Sequence, residues 1–481
     1  MADIVPIEGN LPAVQDEFDI DLEWLIKQIV TYCEAQAGVQ LYPYQREFAE
    51  RIVESIILND GDEITALFAR QCIAEGSVIH TRDGKLVRIE EHPDSWKTQE
   101  NAPILEIHIR GGYIIRCTKN HPIMTDKGWI PAGLLREKDK VVTLSEWNRF
   151  GNGMVPYSFS KYVNMHSNEV LSGEFEMNEE LAELVGWLTA DGSVNSKGQS
   201  AKFTNINPDY LNRVEYIVAK YFPDIKIKKY SKGKGFDYLF TTGENSRFNS
   251  LKDFIRIMNY DHGFPTATNY FTRKQVCAFF RGLFAADGYI YTRKDGLNIE
   301  IGLACGNDKV YAEYCRELLN KLGVAGQIKP EIMAKGTGTF YRIVCGGQKN
   351  ARIFSETIGT VLGKPVPYLP YSRENKTETF KDIDGEVFEY NRVVSIKDAG
   401  VADVWDVTYP DKGWFICGGV KVHNSGKTET VAMVIAGCMV IIPKLAQMPQ
   451  FAKLLGAFKK GLWVGLFAPS KEQAFTTFGR A

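Results

Sequence analysis

The stretch Leu184-Val185-Gly186-Trp187-Leu188-Thr189-Ala190-Asp191-Gly192 returns 96 residues later as Phe280-Arg281-Gly282-Leu283-Phe284-Ala285-Ala286-Asp287-Gly288. Each stretch has two small residues spaced by four before a final Asp-Gly. Residues four apart share one face of a helix, so two such helices can approach each other closely. The stretches therefore predict a packed helix pair that sets Asp191 and Asp287 side by side.

Each of these helices opens a longer internal repeat. Two strand-like runs, a helix, a second strand pair and a further helix follow in both copies, with the middle helices at Asp209 to Tyr221 and Asp308 to Leu322. Self-similarity at a fixed period indicates a duplicated unit. The simplest prediction is two copies of αββαββ within residues 171–370.

The same region is the most basic part of the chain. Residues 171–370 hold 26 Lys and Arg against 21 Asp and Glu, a balance of +5, whereas the whole chain has a net charge of −2. The region is therefore the better candidate for a polyanionic partner. On charge alone, an unevenly charged surface explains the numbers equally well.

Two adjacent carboxylates repel each other unless a divalent cation lies between them. With two Asp-Gly helices in one chain, the region resembles the LAGLIDADG homing endonucleases. The resemblance implies a saddle of two antiparallel sheets on the major groove of double-stranded DNA, with Mg²⁺ bound by Asp191 and Asp287 near the two scissile phosphates. Basic residues at the turns would lie on the DNA backbone, although solvated hairpin tips have the same composition. These residues are Lys229, Lys232 and Lys234 in the first copy and Lys329 and Lys335 in the second.

Members of this family often carry a Lys three residues before a Pro after each repeat. The second copy keeps it in Lys364-Pro365-Val366-Pro367, whereas the first reads His262-Gly263-Phe264-Pro265. The resemblance implies that Lys364, and His262 in its place, help to activate water. The alternative is a folded insertion that no longer cleaves DNA.

Short strands and turns flank the central region on both sides. They run from Cys72 to about Glu146, as in Ser77-Val78-Ile79-His80, and similar runs recur at 386–422. Alternating short strands with turn residues are typical of β-sheet structure. We predict one all-β domain that is split by the central insertion.

The two ends of this all-β segment form a junction. Removal of residues 72–424, 353 in all, would place Gln71 directly before Ser425 and restore Arg70-Gln71-Ser425-Gly426-Lys427-Thr428. That run is the ending of a phosphate-binding loop, which the chain as written interrupts. The pattern predicts a segment that excises itself.

Such excision needs two nucleophiles and a residue that can cleave its own peptide bond. A Cys72 thiol can attack the preceding carbonyl to give a thioester, and Ser425 can then accept the acyl group. The side-chain amide of Asn424 can attack its own carbonyl and release the segment. Holding these groups in one site makes the steps intramolecular.

Several blocks resemble inteins of the Hint fold, over residues 72 to about 150 and 386–425. They include Cys72-Ile73-Ala74-Glu75-Gly76, Thr118-Lys119-Asn120-His121, Val404-Trp405-Asp406-Val407-Thr408 and Val422-His423-Asn424. The resemblance implies that His121 protonates the scissile amide nitrogen, Thr118 orients that peptide, Asp406 tunes Cys72 and His423 assists Asn424. Many inteins have a His where Gly413 stands, so water or His423 would take over that role.

The flanks resemble the phosphate loop of viral DNA-packaging terminase large subunits. Leu41-Tyr42-Pro43-Tyr44-Gln45 fits an adenine-contacting segment of such motors, although Phe68 replaces the first Gly of the loop pattern. After splicing, Lys427 would hold the ATP phosphates and Thr428 the Mg²⁺. Residues 425–481 contain no acidic strand of the kind that completes such a motor, so we expect an incomplete P-loop ATPase.

The predicted fold is multidomain α+β, a split all-β Hint domain around a pseudo-twofold αββαββ endonuclease, flanked by fragments of an α/β P-loop domain. The nine cysteines form no regular framework, and the start of the sequence has no apolar leader. Both features predict a cytoplasmic protein with no membrane association. The terminase resemblance leaves a phage origin open. As an intein it is expected to be a monomer. The predicted domains are 1–71 (upstream host), 72–170 (Hint, first part), 171–370 (endonuclease), 371–424 (Hint, second part) and 425–481 (downstream host).

Two other functional classes fit the sequence. One is a P-loop nucleotide-binding protein with an inert, bulky insertion. The other is a Hint domain that cleaves its ends without ligating them.

Overall fold

The computed structural model describes residues 21–37, 41, 43–60, 72–164, 167–194, 201–233, 235–241, 250–292, 298–332, 338–359, 366–368, 379–381, 386–407, 413–423 and 427–462. Helices and strands in these ranges fall into two compact units. One unit contains the helices near the two ends of the chain. The other contains the residues from Cys72 to Val407 together with Trp414–His423.

Two amphipathic helices precede Cys72. They are α1 (Leu22–Ala37) and α2 (Pro43–Leu58). In α1 the buried side chains recur every three or four residues, from Leu25 to Cys33, which gives the helix one apolar face. The sequence from about Tyr44 to Leu58 predicts a helix, which α2 confirms, and the run at 63–68 predicts a strand, which lies outside the described residues.

Eight strands follow Cys72 in the described residues 72–146, and all but β4 are short. They are β1 (Ile73–Ala74), β2 (Val78–His80), β3 (Leu86–Arg88), β4 (Ser95–Ile109), β5 (Tyr113–Thr118), β6 (Pro122–Thr125), β7 (Gly128–Pro131) and β8 (Lys140–Glu146). A separate antiparallel hairpin then pairs β9 (Met154–Asn164) with β10 (Ser167–Glu176). The boundary predicted between residues 170 and 171 falls inside β10, because this ladder continues to Glu176.

The first copy of the internal repeat begins directly after this hairpin. Its elements are α3 (Glu179–Asp191), β11 (Gly192–Val194), β12 (Ala201–Asn205), α4 (Pro208–Tyr221), β13 (Lys226–Lys232), β14 (Gly235–Thr241) and α5 (Ser250–Ile257). A small hairpin of β15 (Tyr260–Asp261) and β16 (Phe264–Pro265) connects it to the second copy.

The second copy has the same order of elements. They are α6 (Arg273–Asp287), β17 (Gly288–Thr292), β18 (Ile299–Ala304), α7 (Lys309–Lys321), β19 (Gln327–Ile332), β20 (Thr339–Gly346) and α8 (Gln348–Ile353). The strand orders, β11-β12-β14-β13 and β17-β18-β20-β19, are equivalent, so the predicted duplication is confirmed. Both copies contribute to one hydrophobic core.

Four further strands return to the first group of strands. They are β21 (Thr379–Lys381), β22 (Val387–Val407), β23 (Trp414–Cys417) and β24 (Val420–His423). The resulting twelve-stranded sheet has the order β1-β5-β4-β22-β8-β6-β24-β23-β2-β3, with β21 on β22 and β7 on β6. Strands from both sides of the insertion therefore form a single sheet, as the sequence predicts.

Two helices follow the last strand, α9 (Lys427–Leu445) and α10 (Ala452–Leu455). The run from Lys427 to Met439 predicts a helix, which α9 confirms, and the run at 462–469 predicts a strand, which lies almost entirely outside the described residues. Val434, Cys438 and Ile442 of α9 share one buried core with α1 and α2. No single helix within the described ranges is long and apolar enough to cross a membrane, although Met433–Leu445 and Pro449–Lys460, bent by 109°, meet that test when taken together.

Helices α3 and α6 make their closest approach at two glycines. A Cβ added to Gly186 would lie 2.1 Å from the carbonyl oxygen of Phe279, and one added to Gly282 would lie 2.2 Å from that of Glu183. The backbones are thus in direct contact at both positions, as the spacing of small residues predicts.

We expect Gly186→Ala to destabilise the protein by about 2–3 kcal/mol, because the added methyl group forces the two helices apart. The unfolding midpoint in a denaturant titration of the full chain measures this effect. Gly346→Ala is the control, because a Cβ there meets nothing within 4 Å. Equal midpoints for the two variants would show that the helices do not pack through Gly186.

Candidate active sites

The first candidate site is centred on Cys72, whose side chain is only 1 % exposed. Its backbone N–H donates to Thr118 Oγ1 (3.2 Å), and its carbonyl accepts from the backbone N–H of Thr118 (3.0 Å). The same hydroxyl lies 3.4 Å from the Cys72 carbonyl oxygen and can donate to it. Thr118 therefore fixes the peptide group on both sides of the Cys72 Cα atom.

A residue that sequence reasoning missed contacts the sulfur itself. Thr98 Oγ1 donates to Cys72 Sγ (2.7 Å) and is also within reach of the Val404 carbonyl (2.9 Å). One hydroxyl carries one proton, so it serves one of the two acceptors at a time. No sequence motif marks Thr98, because it lies within the long strand β4 and reaches Cys72 only through the sheet.

Asp406 approaches the same site through strand pairing. Ile73 pairs with Trp405 in the β1–β22 ladder, so the antiparallel register places Cys72 across from Asp406. Asp406 is 3 % exposed, and its Oδ1 accepts the N–H of Val407 (2.9 Å). The structure thus brings the predicted residues Cys72, Thr118 and Asp406 together.

A second thiol lies beside the first. Cys117 is fully buried at the end of β5, and burial, followed by the proximity of Cys72, raises the pKa of the Cys117 thiol. A thiol with a raised pKa is a poor nucleophile. Burial therefore favours the protonated form of the Cys117 thiol.

The two histidines lie close to one strand pair, since His423 ends β24 and His121 directly precedes the neighbouring strand β6. The His121 N–H donates to the Thr118 carbonyl (3.0 Å), which closes a turn that keeps His121 buried and close to Thr118. Val422 pairs with Ile123 between β24 and β6, so His423 and His121 are each within two residues of that pair. The His423 ring meets Trp129 edge to face, with the ring centroids 5.1 Å apart.

The downstream end of this site is described only in part. Gly413 is exposed and immediately precedes Trp414, the residue that pairs with His423. Gln71, Asn424 and Ser425 lie outside the described residues, and for Lys427 and Thr428 the structure describes the helical backbone without the side chains.

The second candidate site lies where α3 and α6 end. The side-chain amide of Gln275, in the first turn of α6, donates to the carbonyl of Met177, just before α3 (2.6 Å). The two helices therefore begin together and run in the same direction. Asp191 and Asp287 each follow the contact glycine of their own helix by five residues, so both lie at the same end, about 7.5 Å beyond the crossing.

The two aspartates have different neighbours. The side-chain amide of Asn205 donates to Asp191 Oδ2 (2.5 Å). Gly192 pairs with Phe203 and Gly288 with Leu303, so Cys305 occupies the position equivalent to Asn205. Burial raises the pKa of Cys305 to about 12, and the charge of Asp287 contributes to that rise. One carboxylate is thus held by an amide and the other faces a neutral thiol.

The metal prediction rests on these two half-buried aspartates. Among the described residues, no group of three or more His, Cys, Asp and Glu is arranged to hold a metal ion. Carboxylate pairs are ligands of the kind that Mg²⁺ uses together with waters and substrate phosphates.

His262 has a partner in the second repeat. Its Nδ1 lies 2.8 Å from Oδ2 of Asp308, whose Oδ1 caps α7 by accepting the backbone N–H groups of Val310 and Tyr311. His262 therefore fastens the β15–β16 hairpin to α7. This contact places the ring on the N-terminus of α7, whereas the sequence predicts a role in activating water.

Lys229 lies on the helix side of its sheet. It pairs with Tyr238 across the strands, its ammonium group is 2.7 Å from Glu215 Oε2 of α4, and it lies over the Tyr238 ring. The neighbouring residue, Lys228, points to the opposite face because side chains alternate along a strand. Lys229 thus forms an ion pair on the helix side of the sheet, whereas Lys228 lies on the open face. The contact of Lys229 with the DNA backbone stays a prediction.

Lys329 lies on the open face of the second sheet. It pairs with Arg342, while the preceding pair of Ile328 and Ile343 faces the core. Of the other predicted basic and catalytic residues, Lys234, Lys335 and Lys364 lie outside the described residues, as does the side chain of Lys232.

Residues 274–359, which are the second repeat, match the family model of a LAGLIDADG-like domain. That part of the chain is therefore a LAGLIDADG-like domain. The first repeat has the same element order and the same sheet topology.

Three curated proteins match larger parts of the chain at low identity. The replication factor C small subunit of Methanocaldococcus jannaschii is 23 % identical over 277 residues, 55 % of this chain and 13 % of that protein. The probable translation initiation factor IF-2 of Thermococcus kodakarensis is 21 % identical over 363 residues, which are 64 % of this chain and 30 % of that protein. The RecA protein of Mycobacterium tuberculosis is 22 % identical over 310 residues, 59 % of this chain and 36 % of that protein. The chain thus spans about a third or less of the length of these relatives.

Two solved structures resemble part of the chain. The homing endonuclease I-DmoI in complex with DNA and Mn is 15 % identical, with a TM-score of 0.26, over 38 % of this chain and 98 % of that one. The full-length DUF199/WhiA protein of Thermatoga maritima is 16 % identical, with a TM-score of 0.28, over 39 % of this chain and 57 % of that one.

Proposed function

We propose that residues 72–424 excise themselves from the chain and join the flanking segments by a peptide bond. The observation that carries this proposal is the setting of Cys72. Its thiol is buried, its backbone is held from both sides by Thr118, and its sulfur accepts a hydrogen bond from Thr98. Such fixation of a nucleophile beside the peptide bond that it attacks is what intramolecular acyl transfer requires.

The packing of the flanks supports excision. Helices α1 and α2 precede Cys72, α9 follows Ser425, and all three share one buried core. Segments that far apart in the sequence are expected to form one core when they belong to one protein that an insertion has interrupted.

The curated relatives also support a portable segment. The three matched proteins have three different names, and the match covers only 13–36 % of each. A shared stretch of this kind is expected of an inserted segment that occurs in different hosts. The intein family, with its Hint fold, is the proposed identity of that segment.

The proposed reaction has four acyl transfers. Cys72 Sγ attacks the Gln71 carbonyl, and the acyl group moves from nitrogen to sulfur. Ser425 Oγ then takes the acyl group from sulfur. The Asn424 side-chain nitrogen attacks its own main-chain carbonyl, which breaks the Asn424–Ser425 bond. The freed Ser425 amine finally takes the acyl group from its own oxygen and completes the new peptide bond.

The buried polar residues have the following proposed roles. Thr118 orients the upstream peptide group, and His121 gives a proton to the departing Cys72 nitrogen. Asp406 tunes the thiol from the facing strand. His423 assists the cyclisation of Asn424, because Gly413 provides no side chain for that step.

The second proposed activity is site-specific cleavage of double-stranded DNA by the two repeats. Asp191 and Asp287 would hold Mg²⁺, which supplies a polarised phosphate and an activated water when bound. The open faces of the two sheets carry cations that fit the DNA backbone, among them Lys202 and Lys228 in the first copy and Lys329 and Arg342 in the second.

The predicted domain limits remain part of the proposal, with the boundary between the first Hint part and the endonuclease moved from residue 170 to the end of β10 at Glu176. Residues 1–71 and 425–481 would be the two parts of a terminase-like ATPase, in which Lys427 and Thr428 bind ATP and Mg²⁺ after splicing. Until then, Gln71 and Ser425 belong to separate segments and the phosphate loop is incomplete.

Thr98→Val tests the proposed role of the thiol. A hydrogen bond to a developing thiolate is worth about 1.5–3 kcal/mol, so we expect thiol-induced release of residues 1–71 to become about tenfold to a hundredfold slower. The rate is followed on denaturing gels after dithiothreitol is added.

Thr125→Val is the matched control for this experiment. Thr125 lies in the same sheet and is more deeply buried than the half-buried Thr98, and its hydroxyl donates to the Gly128 carbonyl (2.7 Å), away from Cys72. If the Thr98 and Thr125 variants release the segment at the same rate, the hydrogen bond to sulfur has no part in the reaction.

A further inference from the structure

Helix α7 of the second repeat is buried on two sides. Its apolar residues, such as Ala312 and Leu319, belong to the core of the repeats. Arg316, Glu317 and Lys321 are nevertheless 3 % exposed or less. Because burying charge without a partner is costly, this polar side must be matched by groups on another part of the protein.

The matching groups lie in the twelve-stranded sheet. Glu317 Oε2 is 3.0 Å from His80 Nε2 at the end of β2, and both side chains are fully buried. The guanidinium group of Arg316 donates to the other oxygen of Glu317 (3.0 and 2.7 Å). Burial lowers the pKa of His80, and the neighbouring Glu317 carboxylate opposes that shift.

Lys321 extends the contact by one helical turn. Its ammonium group donates to the carbonyl of Gly84 (2.5 Å), and its own carbonyl accepts the N–H of Trp147 (3.3 Å). The polar side of α7 is therefore joined to the sheet at β2, at the following turn and just after β8.

The corresponding helix of the first repeat, α4, does not have a polar side that is buried against the sheet. When α4 and α7 are aligned from their first residues, Glu317 corresponds to Tyr216 and Arg316 to Glu215. Tyr216 is 51 % exposed, and Glu215 forms a half-exposed ion pair with Lys229. The duplication thus supplies an internal comparison, in which one copy of the helix faces solvent and the other is built to contact the sheet.

The same side of α7 lies against the turn between β23 and β24. Gly418 and Gly419 have φ values of +55° and +73°, and a Cβ on Gly419 would lie 3.2 Å from Asn320 Nδ2. The Gly418 N–H donates to the Val78 carbonyl (3.2 Å), and the Gly419 carbonyl accepts the N–H of Leu144 (2.8 Å). The turn is thereby held between α7 and the strands that α7 contacts.

This turn starts the strand that ends at His423. Strand β24 has four residues, so His423 is about 13 Å from the turn along one short, continuous strand. Strand β24 is hydrogen-bonded to β23 on one side and to β6 and β8 on the other, so we expect a shift of the turn to change the position of His423.

We infer that Glu317, together with Arg316 and His80, positions the downstream splice junction. Through these residues the nuclease-like half controls release at Asn424. The inference rests on the proposed splicing reaction. It assigns to α7 a function in splicing that is separate from DNA cleavage.

The test uses the full chain with Glu317→Gln. We expect release at Asn424 to become at least about tenfold slower, while dithiothreitol-induced release at Cys72 keeps its rate, because a misplacement of about an ångström affects only the junction that β24 carries. Both rates are measured on denaturing gels. Glu215→Gln, the same change at the half-exposed site of α4, is the control and should alter neither rate.

Two results would overturn the inference. One is an unchanged release at Asn424, and the other is an equal loss at both junctions, which means a general loss of structure. If the chain with Glu317→Gln is insoluble, Asn320→Ala, which removes the amide beside Gly419, must show the same selective loss. A wild-type chain that releases nothing at either junction would instead refute the proposed splicing itself.

Discussion

Cys72→Ala should abolish formation of the joined flanks and lower the rate by at least about a thousandfold, because alanine cannot form the thioester from which all later transfers start. The upstream junction should stay intact even with added thiol. Release at Asn424 can still occur, since that step uses only the side-chain amide of Asn424. A gel of the purified variant should therefore show the 57-residue downstream segment free in part and residues 1–424 uncut.

Asn424→Ala should give the opposite pattern. The thioester forms and dithiothreitol releases residues 1–71, but the downstream segment stays attached. Cys117→Ala is the matched control for the thiol. Cys117 is a buried neighbour of Cys72, and burial raises the pKa of the Cys117 thiol. If the Cys72 variant still forms the joined product, or if the Cys117 variant does not form it, Cys72 is not the nucleophile.

Asp191→Ala and Asp287→Ala should each prevent double-strand cleavage of the uninterrupted host gene. Each removes one of the two carboxylates that end the parallel helices, and loss of a metal-bound transition-state contact of several kcal/mol slows cleavage at least about a hundredfold. Conversion of a supercoiled plasmid to nicked and linear forms separates the two strand cuts. Each single variant should yield at most nicked plasmid, and the double variant neither product.

Splicing of these variants should be unaffected, because neither aspartate belongs to the Cys72 site. Asp209→Asn is a suitable control, since Asp209 is an exposed residue in the first turn of α4. If both single variants still linearise the plasmid, the metal assignment is wrong.

The sequence predicted the elements whose evidence is local. Gly186 and Gly282 stand in the repeated stretch, and the structure places a backbone contact at each of them. Short strands on both sides of the insertion form one sheet because their alternation and turn residues are local signals too. The junction residues could be identified because removing the segment between them restores a known loop.

The sequence did not predict contacts that depend on strand register. Thr98 reaches Cys72 across the sheet, and Asn205 reaches Asp191 from the next strand. Composition alone does not show that Lys229 lies on the helix side of the sheet and Lys228 on the open face, because a difference of one residue reverses the direction of a side chain. The sequence around Glu317 also does not indicate that Glu317 is buried, because a polar stripe on a helix usually faces solvent.

Excision of residues 72–424 with ligation of the flanks changes the mass of the chain in a defined way, so a mass spectrum of the expressed full-length chain detects it. Splicing should give a 353-residue product, residues 72–424, and a 128-residue product in which Gln71 is bonded to Ser425. A stable chain of 54.2 kDa, or three separate pieces without the 128-residue product, would contradict it.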